Sequence, residues 1–302
     1  MAGIENFIPE LWEAAIQVPF EKALVYGQES VANRDYEGAI QQQGDTVHVT
    51  TIADPTIRTY DKTADLVIED LDDDSTALLI DQGDYFAFRV NDIDKVQAAG
   101  DFQSPALARA AFGLRDKVDQ YIAGLAYAGA YAANRLGRVA IVDAEPEYAG
   151  VGQTAAYNVL VKLREKLDDQ SVPLEGRYVV VNPAFISALS YDKRFTDASA
   201  SGSTETLRNG FVKQVQGFDV LVSNNVPTVG GVGADASDKV IVAGVPAAWS
   251  FANQLTETEV IRQEKRFANL VRGLNIYGAK VFEPKGLATA TVSFAPPAVD
   301  ES

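Results

Sequence analysis

Cysteine is absent from the 302 residues, histidine occurs once, as His48, and methionine once. The first absence excludes disulfides, thiolate nucleophiles and every cysteine-ligated zinc or iron–sulfur site. A single imidazole leaves no histidine pair for a metal and no HExxH helix. Basic residues are the minority, 26 Lys and Arg against 42 Asp and Glu, for a formal charge of −16 and a pI of about 4.5. A chain this acidic gains nothing by neutralising phosphates, which argues against sequence-specific nucleic-acid binding and against contact with an anionic membrane surface. No apolar run reaches the length of a membrane span. The first residues carry Glu5 and Glu10 where a signal peptide has basic ones, so the expectation is a chain made and kept soluble in the cytosol.

What is present is apolar material, 47% hydrophobic against 23% charged residues, enough for one or two cores. Residues 1–44 read as an arm: Phe7, Ile8, Leu11 and Trp12 cluster without nearby apolar partners, and Pro9 and Pro19 break the segment into short pieces. GDTVHVTTI from Gly44 to Ile52 alternates in the manner of a half-buried strand and puts His48 on the polar face. With Thr56 to Tyr60, Leu78 to Ile80 and Tyr85 to Val90 it predicts a long hairpin. The far end of that hairpin, Asp61 to Ser75, holds Glu69, Asp70, Asp72, Asp73 and Asp74, mutually repelling charges that belong in solvent or on a neighbour.

Ser104-Pro105 predicts a helix start, and the stripe Leu107, Ala111, Leu114, Val118, Tyr121 or Ile122, and Leu125 carries the helix as far as Asn134, with Arg109, Asp116, Lys117 and Asp119 off it. A strand from Val139 to Val142, a helix from Thr154 to Asp168, a buried strand from Tyr178 to Val181 and a short helix capped by Asn182-Pro183 follow. Residues 195–209 and 228–237 read as loops around a strand from Phe218 to Ser223, and another strand spans Val240 to Val245. The β-branched and aromatic stretch from Glu257 to Phe282 predicts two long strands.

Motifs with chemistry fall short. Gly150-Val-Gly152-Gln-Thr-Ala155 has the dinucleotide spacing, but the strand before it ends too early and the strand after the helix ends in Asn182 rather than an acid. An EF-hand loop beginning at Asp72 would need Gly and Glu where Ala77 and Gly83 stand. No GxSxG elbow accompanies His48. No catalytic, cofactor or metal residue is assigned.

The ordered parts resemble the major capsid proteins of tailed bacteriophages with the Hong Kong 97-like fold. FIPELW at Phe7 to Trp12 resembles the opening of one branch of that family; DYFAFRVNDIDKVQA at Asp84 to Ala98 resembles the stretch between its extended loop and its spine helix. RYVVVNPAFISAL at Arg177 to Leu189 and GFDVLVSNNVP at Gly217 to Pro227 are similar to its axial core. The resemblance implies an α+β fold with an N-terminal arm at 1–44, an extended loop hairpin at 45–92, a peripheral domain with a spine helix at 93–150, an axial domain at 151–245, and peripheral strands with a C-terminal tail at 246–302. It also implies an unprocessed subunit, self-assembly into hexamers and pentamers of an icosahedral shell, and possible scaffolding, portal and decoration partners. DNA would be enclosed without sequence-specific binding, no membrane would be involved, and the location would be the virion after assembly in the host cytoplasm. The expected assembly interface comprises Phe7, Ile8, Leu11, Trp12, Asp70, Asp72, Asp74, Arg262, Lys265 and Arg266. Covalent cross-linking does not carry over, because Lys62 has no identifiable partner. An encapsulin-like compartment shell shares the fold, and a cytosolic α/β enzyme is the non-structural alternative.

Overall fold

The structure, a computed structural model, describes residues 25–35, 46–52, 56–57, 59, 73–91, 103–192, 214–228, 238–255, 259–263 and 268–296. Its centre is a mixed sheet in the order β5-β4-β13-β9-β6-β8-β7. The strands are β1 Thr46–Ile52, β2 Asp73–Leu79, β3 Gln82–Asn91, β4 Arg135–Val142, β5 Gln153–Thr154, β6 Tyr178–Val181, β7 Gln214–Val215, β8 Phe218–Val222 and β9 Lys239–Gly244. They continue with β10 Trp249–Leu255, β11 Glu259–Arg262, β12 Ala268–Val281 and β13 Leu287–Ala295. Among the described residues three α-helices accompany them, α1 Gln103–Gly129, α2 Ala156–Asp169 and α3 Pro183–Ser190.

Alternation in the central strands decides which helix covers which face. Tyr178 and Val180 of β6, with Val240 and Val242 of β9, pack against Val118, Ile122, Ala123 and Ala126 of α1. Val179 and Val181, with Ile241 and Ala243, pack against Val159, Leu160, Leu163 and Leu167 of α2 and Phe185 and Leu189 of α3. Both faces are therefore buried, which is why YVVV is apolar at every position. Each such side chain contributes about 1.5–3 kcal/mol by leaving water. Asn182 caps α3 by accepting from the Phe185 N–H at 3.3 Å.

A second sheet is organised by β12. β3 pairs along ten residues of it, while β10 and β11 lie in succession along its opposite edge. β1 and β2 form a separate two-stranded antiparallel sheet. Trp249, at the head of β10, is fully buried between the two larger sheets, and its Nε1 donates to Tyr178 Oη at 2.9 Å. That bond satisfies the polar ends of two aromatics whose bodies are in the core.

Several expectations are corrected. The predicted hairpin is β1 with β2, and the β3 segment turns away to pair with β12, whose fourteen residues offer it a ten-residue ladder. The acidic run is not confined to a tip, since Asp73 and Asp74 pair with Ile52 and Thr51. Thr56, Ile57 and Thr59 belong to no strand. The long helix begins one residue before Ser104 and ends at Gly129, five short of Asn134. Its 27 residues span about 40 Å at about 1.5 Å each. It stops because Gly129 runs against β12, where an added Cβ would lie 2.4 Å from Val281, and the Tyr131 N–H turns to the Pro284 carbonyl at 3.0 Å. Arg135 then folds back on the helix end, its guanidinium donating to the Ala128 and Ala130 carbonyls at 2.8 and 2.9 Å. Of the two long strands expected between 257 and 282, β11 has four residues and β12 fourteen; β10 and β13 were not anticipated. The proposed loops at 195–209 and 229–237 lie outside the described residues.

Asp119 is the largest correction. Expected off the apolar stripe, it is 2% exposed. Its Oδ1 accepts from the backbone N–H groups of Val25, Tyr26 and Gly27 at 3.0, 2.7 and 3.4 Å, and its Oδ2 from Asn225 Nδ2 at 2.8 Å. Replacing it by alanine strands three main-chain donors. Asp119→Ala is expected to lose roughly 3 kcal/mol or more, from about 1–3 kcal/mol per buried unsatisfied donor, and Asp119→Asn, which keeps an acceptor, clearly less. Urea unfolding midpoints of the two variants test this; equal losses would show that charge rather than acceptor geometry matters there.

Candidate functional site

The residues expected to form an interface are only partly placed. Phe7, Ile8, Leu11, Trp12, Asp70, Asp72, Lys265 and Arg266 lie outside the described residues. Asp74 stands on β2 opposite Thr51, and Arg262 closes β11 opposite Asn269, whose Oδ1 accepts from its Nη1 at 3.5 Å. Asp74 and Arg262 belong to different sheets, so any pairing between them needs contact other than strand pairing. His48 pairs in register with Ala77. At the GxG motif, Gly152 adopts φ +83 just before β5 and α2, a turn that only glycine enters without strain.

Three features present unmet bonding capacity. The β1–β2 hairpin is rooted but otherwise unsupported. Leu78 and Ile80 are fully buried with Ala252 and Ile276, and Lys280 Nζ donates to the Ala77 carbonyl at 2.8 Å. Gly278 admits the hairpin's root, since a Cβ there would stand 2.2 Å from the Leu79 carbonyl oxygen. Beyond that root, no third strand pairs with β1 or β2 among the described residues. Two-stranded ribbons are marginal by themselves in water.

β3 is the second feature. It pairs only with β12 among the described strands, leaving a ten-residue edge, and Tyr85 is 77% exposed. β11 is the third: all four residues are exposed, Val260 and Ile261 included. There the Arg272 fork grips Glu259 Oε2 at 2.9 and 2.7 Å across the strand pair. Exposed edges and apolar side chains of this kind are contact surfaces in waiting or aggregation hazards.

Several titratable groups among the described residues are perturbed by burial and internal hydrogen bonds. Burial would push the Asp84 carboxyl up, but hydrogen bonds from Lys117 and from Tyr277, the latter at 2.8 Å, outweigh it and hold the group below its ordinary value. Asp119 goes the other way, raised by burial despite the donors gathered on it. Burial and then the Asp84 charge raise the Tyr277 phenol, whose ring meets Tyr121 edge-on at 5.4 Å. Arg138 forks onto the fully buried Asp238 at 2.7 and 3.3 Å. Among the described residues, no three or more acidic or imidazole groups are placed to hold a metal, and no helix is long and apolar enough to cross a membrane. Sequence reading missed Asp84, Asp119, Asn225 and Arg135. For Asp119 a signal existed: Ile122 and Ala126, three and seven residues on, are on its own face of the helix.

Residues 79–290 match the profile of a family described as phage capsid protein. A solved structure from Mycobacterium phage Che8 is 28% identical, covers 95% of this chain and 98% of its own, and superposes with a TM-score of 0.74. The capsid of the cyanophage P-SCSP1u, 15% identical, covers 98% and 95% with a TM-score of 0.74. The mature capsid of bacteriophage PhiM1, 14% identical, covers 91% of each chain with a TM-score of 0.65. Among curated proteins none matches.

Acid should act on the two perturbed carboxyls in sequence. Asp84, depressed when folded, contributes stability present above its unfolded value near 3.8 and lost as pH falls through the folded value. Asp119, raised when folded, makes folding less favourable above its folded value, a cost relieved as pH falls from there toward 3.8. Thermal melts should therefore show Asp84→Asn flattening the decline below about pH 4, and Asp119→Asn removing a small gain above it. An acid limb unchanged in Asp84→Asn would show that other carboxyls govern it.

Proposed function

The chain belongs to the phage capsid protein family, and from that premise we propose how its open surfaces serve a shell. It is a structural protein, a major capsid protein of a tailed-phage virion built from many copies. In the proposed assembly those copies form hexamers and pentamers of an icosahedral lattice in the host cytoplasm and enclose double-stranded DNA. Scaffolding, portal and decoration proteins are the expected additional partners. The observation that carries the reading is the match of residues 79–290 to the phage capsid protein family, beside a near-complete, 28% identical correspondence with the Mycobacterium phage Che8 structure.

The division expected from the sequence is kept as a proposal: arm 1–44, extended loop 45–92, peripheral parts 93–150 and 246–302, axial part 151–245. The arm residues Phe7, Ile8, Leu11 and Trp12 and the acidic Asp70, Asp72 and Asp74 are proposed subunit contacts. Arg262, Lys265 and Arg266 are the basic counterparts proposed for those acids. Three features support the reading: among the described residues the β1–β2 hairpin has no third strand, β3 has one unpaired edge and β11 is exposed, which leaves bonding capacity that a neighbour would use. The net charge supports an interior that does not adsorb packaged DNA.

Expression of the chain, alone or with its phage's scaffold, followed by negative-stain microscopy is the direct test. Closed shells are expected, and a protein that stays monomeric under both conditions overturns the reading. Salt gives a finer check. Subunits of −16 repel over a Debye length of about 30 Å at about 0.01 M and about 10 Å at about 0.1 M. Light scattering should show assembly yield rising with salt to about 0.1 M and then levelling or falling as contact pairs weaken. A monotonic fall from the lowest salt would mean that complementary contacts dominate throughout.

A further inference from the structure

A cleft of about 270 Å³ lies between α1 and the sheet organised by β12. Leu107, Ala111 and Leu114 of α1 and Phe86 of β3 make its apolar walls. Arg115, Asn253 and Asn275 complete the lining. The two asparagines share one face of the sheet, since Asn253 is opposite Tyr277, two residues from Asn275 along β12. Asn275 is 2% exposed, and the Oδ1 atoms of both are buried and accept no hydrogen bond among the described residues. A second cavity of about 390 Å³ shares Arg115 and Asn253 with the first and carries Arg34.

Two buried acceptors in an apolar cleft define what fits it. Water would satisfy the oxygens but would leave the leucine and phenylalanine walls wet. An indole is a large apolar body whose polar atom is a donor only, so it covers the walls and serves an acceptor at once. The chain has two tryptophans. Trp249 is buried elsewhere with its N–H already given to Tyr178. Trp12 remains, and Glu10 and Glu13 beside it match the arginines of the cleft in charge.

We propose that this cleft receives Trp12 from the arm of a second copy of the chain. The inference rests on the capsid reading, which supplies that copy at high local concentration. Arm and cleft are then two unlike surfaces of one subunit, the head-to-tail contact that closes rings. The arm of the same chain is the competing occupant.

The cysteine-free chain makes disulfide trapping clean. Leu11→Cys and Ala111→Cys are combined in one chain, assembled from an equal mixture of ordinary and ¹⁵N-labelled subunits, and oxidised. A ladder of linked chains on a denaturing gel is expected, with about half of the cross-linked peptide pairs of mixed label, the statistical share for partners drawn at random from neighbours. Pairs of uniform label place the arm in its own subunit and overturn the proposal, as does the absence of a link in normal particles. Trp12→Ala provides a second readout free of new cysteines. It should lower particle yield about tenfold or more near the assembly threshold, as loss of a central aromatic anchor does, while the melting midpoint of the free subunit stays unchanged. Unchanged yield overturns the docking alone; failure of the unsubstituted chain to form particles overturns the capsid reading and the docking with it.

Discussion

One buried carboxylate holds together parts of the chain that are far apart in sequence. Asp119 sits midway along α1, a helix that touches both larger sheets, and it gathers three consecutive N–H groups from residues 25–27 and the Asn225 amide from the loop after β8. Burying an ion costs several kcal/mol unless donors surround it, so the site is stable only when all of these segments arrive together. The segment it fixes then runs to Asn33, whose N–H donates to the Trp249 carbonyl and whose carbonyl accepts from Phe251. Helix, first described segment and β10 are thereby set relative to one another by hydrogen bonds that no local propensity encodes.

The long strands extend this logic. β13, the last strand, lies between β4 and β9, so the central sheet closes only when the end of the described chain is in place. Asn134, at the turn into β4, donates to the Lys285 and Leu287 carbonyls at 2.9 and 3.1 Å and pins the start of β13 to the end of the α1 segment. β12 does the equivalent for the other sheet by pairing with three strands. Such non-local closure ties distant parts of the described chain into one folding unit rich in long-range contacts.

Local chemistry made part of this legible in advance. YVVV, the Asn182-Pro183 cap and the apolar stripe of α2 each name their element because burial on both faces, a missing proline N–H or a 3.6-residue period leaves few alternatives. What escaped was decided at a distance. The partner of β3 depends on β12, almost two hundred residues later, and the stop of α1 depends on Val281 and Pro284 rather than on any local breaker. Asp119 escaped because an acid on a helix reads as solvated unless its donors are known, and three of them are backbone groups without a sequence signature.

Open edges and strong negative charge belong to one physical problem. A shell subunit must reach its neighbours with unfilled hydrogen-bonding capacity, yet the β3 edge left unpaired among the described residues, the two-stranded hairpin and the exposed Val260 and Ile261 are also features that drive indiscriminate association. A charge of −16 acts at a longer range than any of these contacts and slows every encounter equally. Only an approach that brings several complementary edges together at once recovers enough contact energy to overcome that repulsion. A single exposed edge, gaining a few backbone hydrogen bonds at about 1 kcal/mol each, does not. On this view the acidity of the chain selects for the multi-point contacts of a closed lattice over one-edge pairing, because repulsion holds subunits apart until several neighbours are correctly placed.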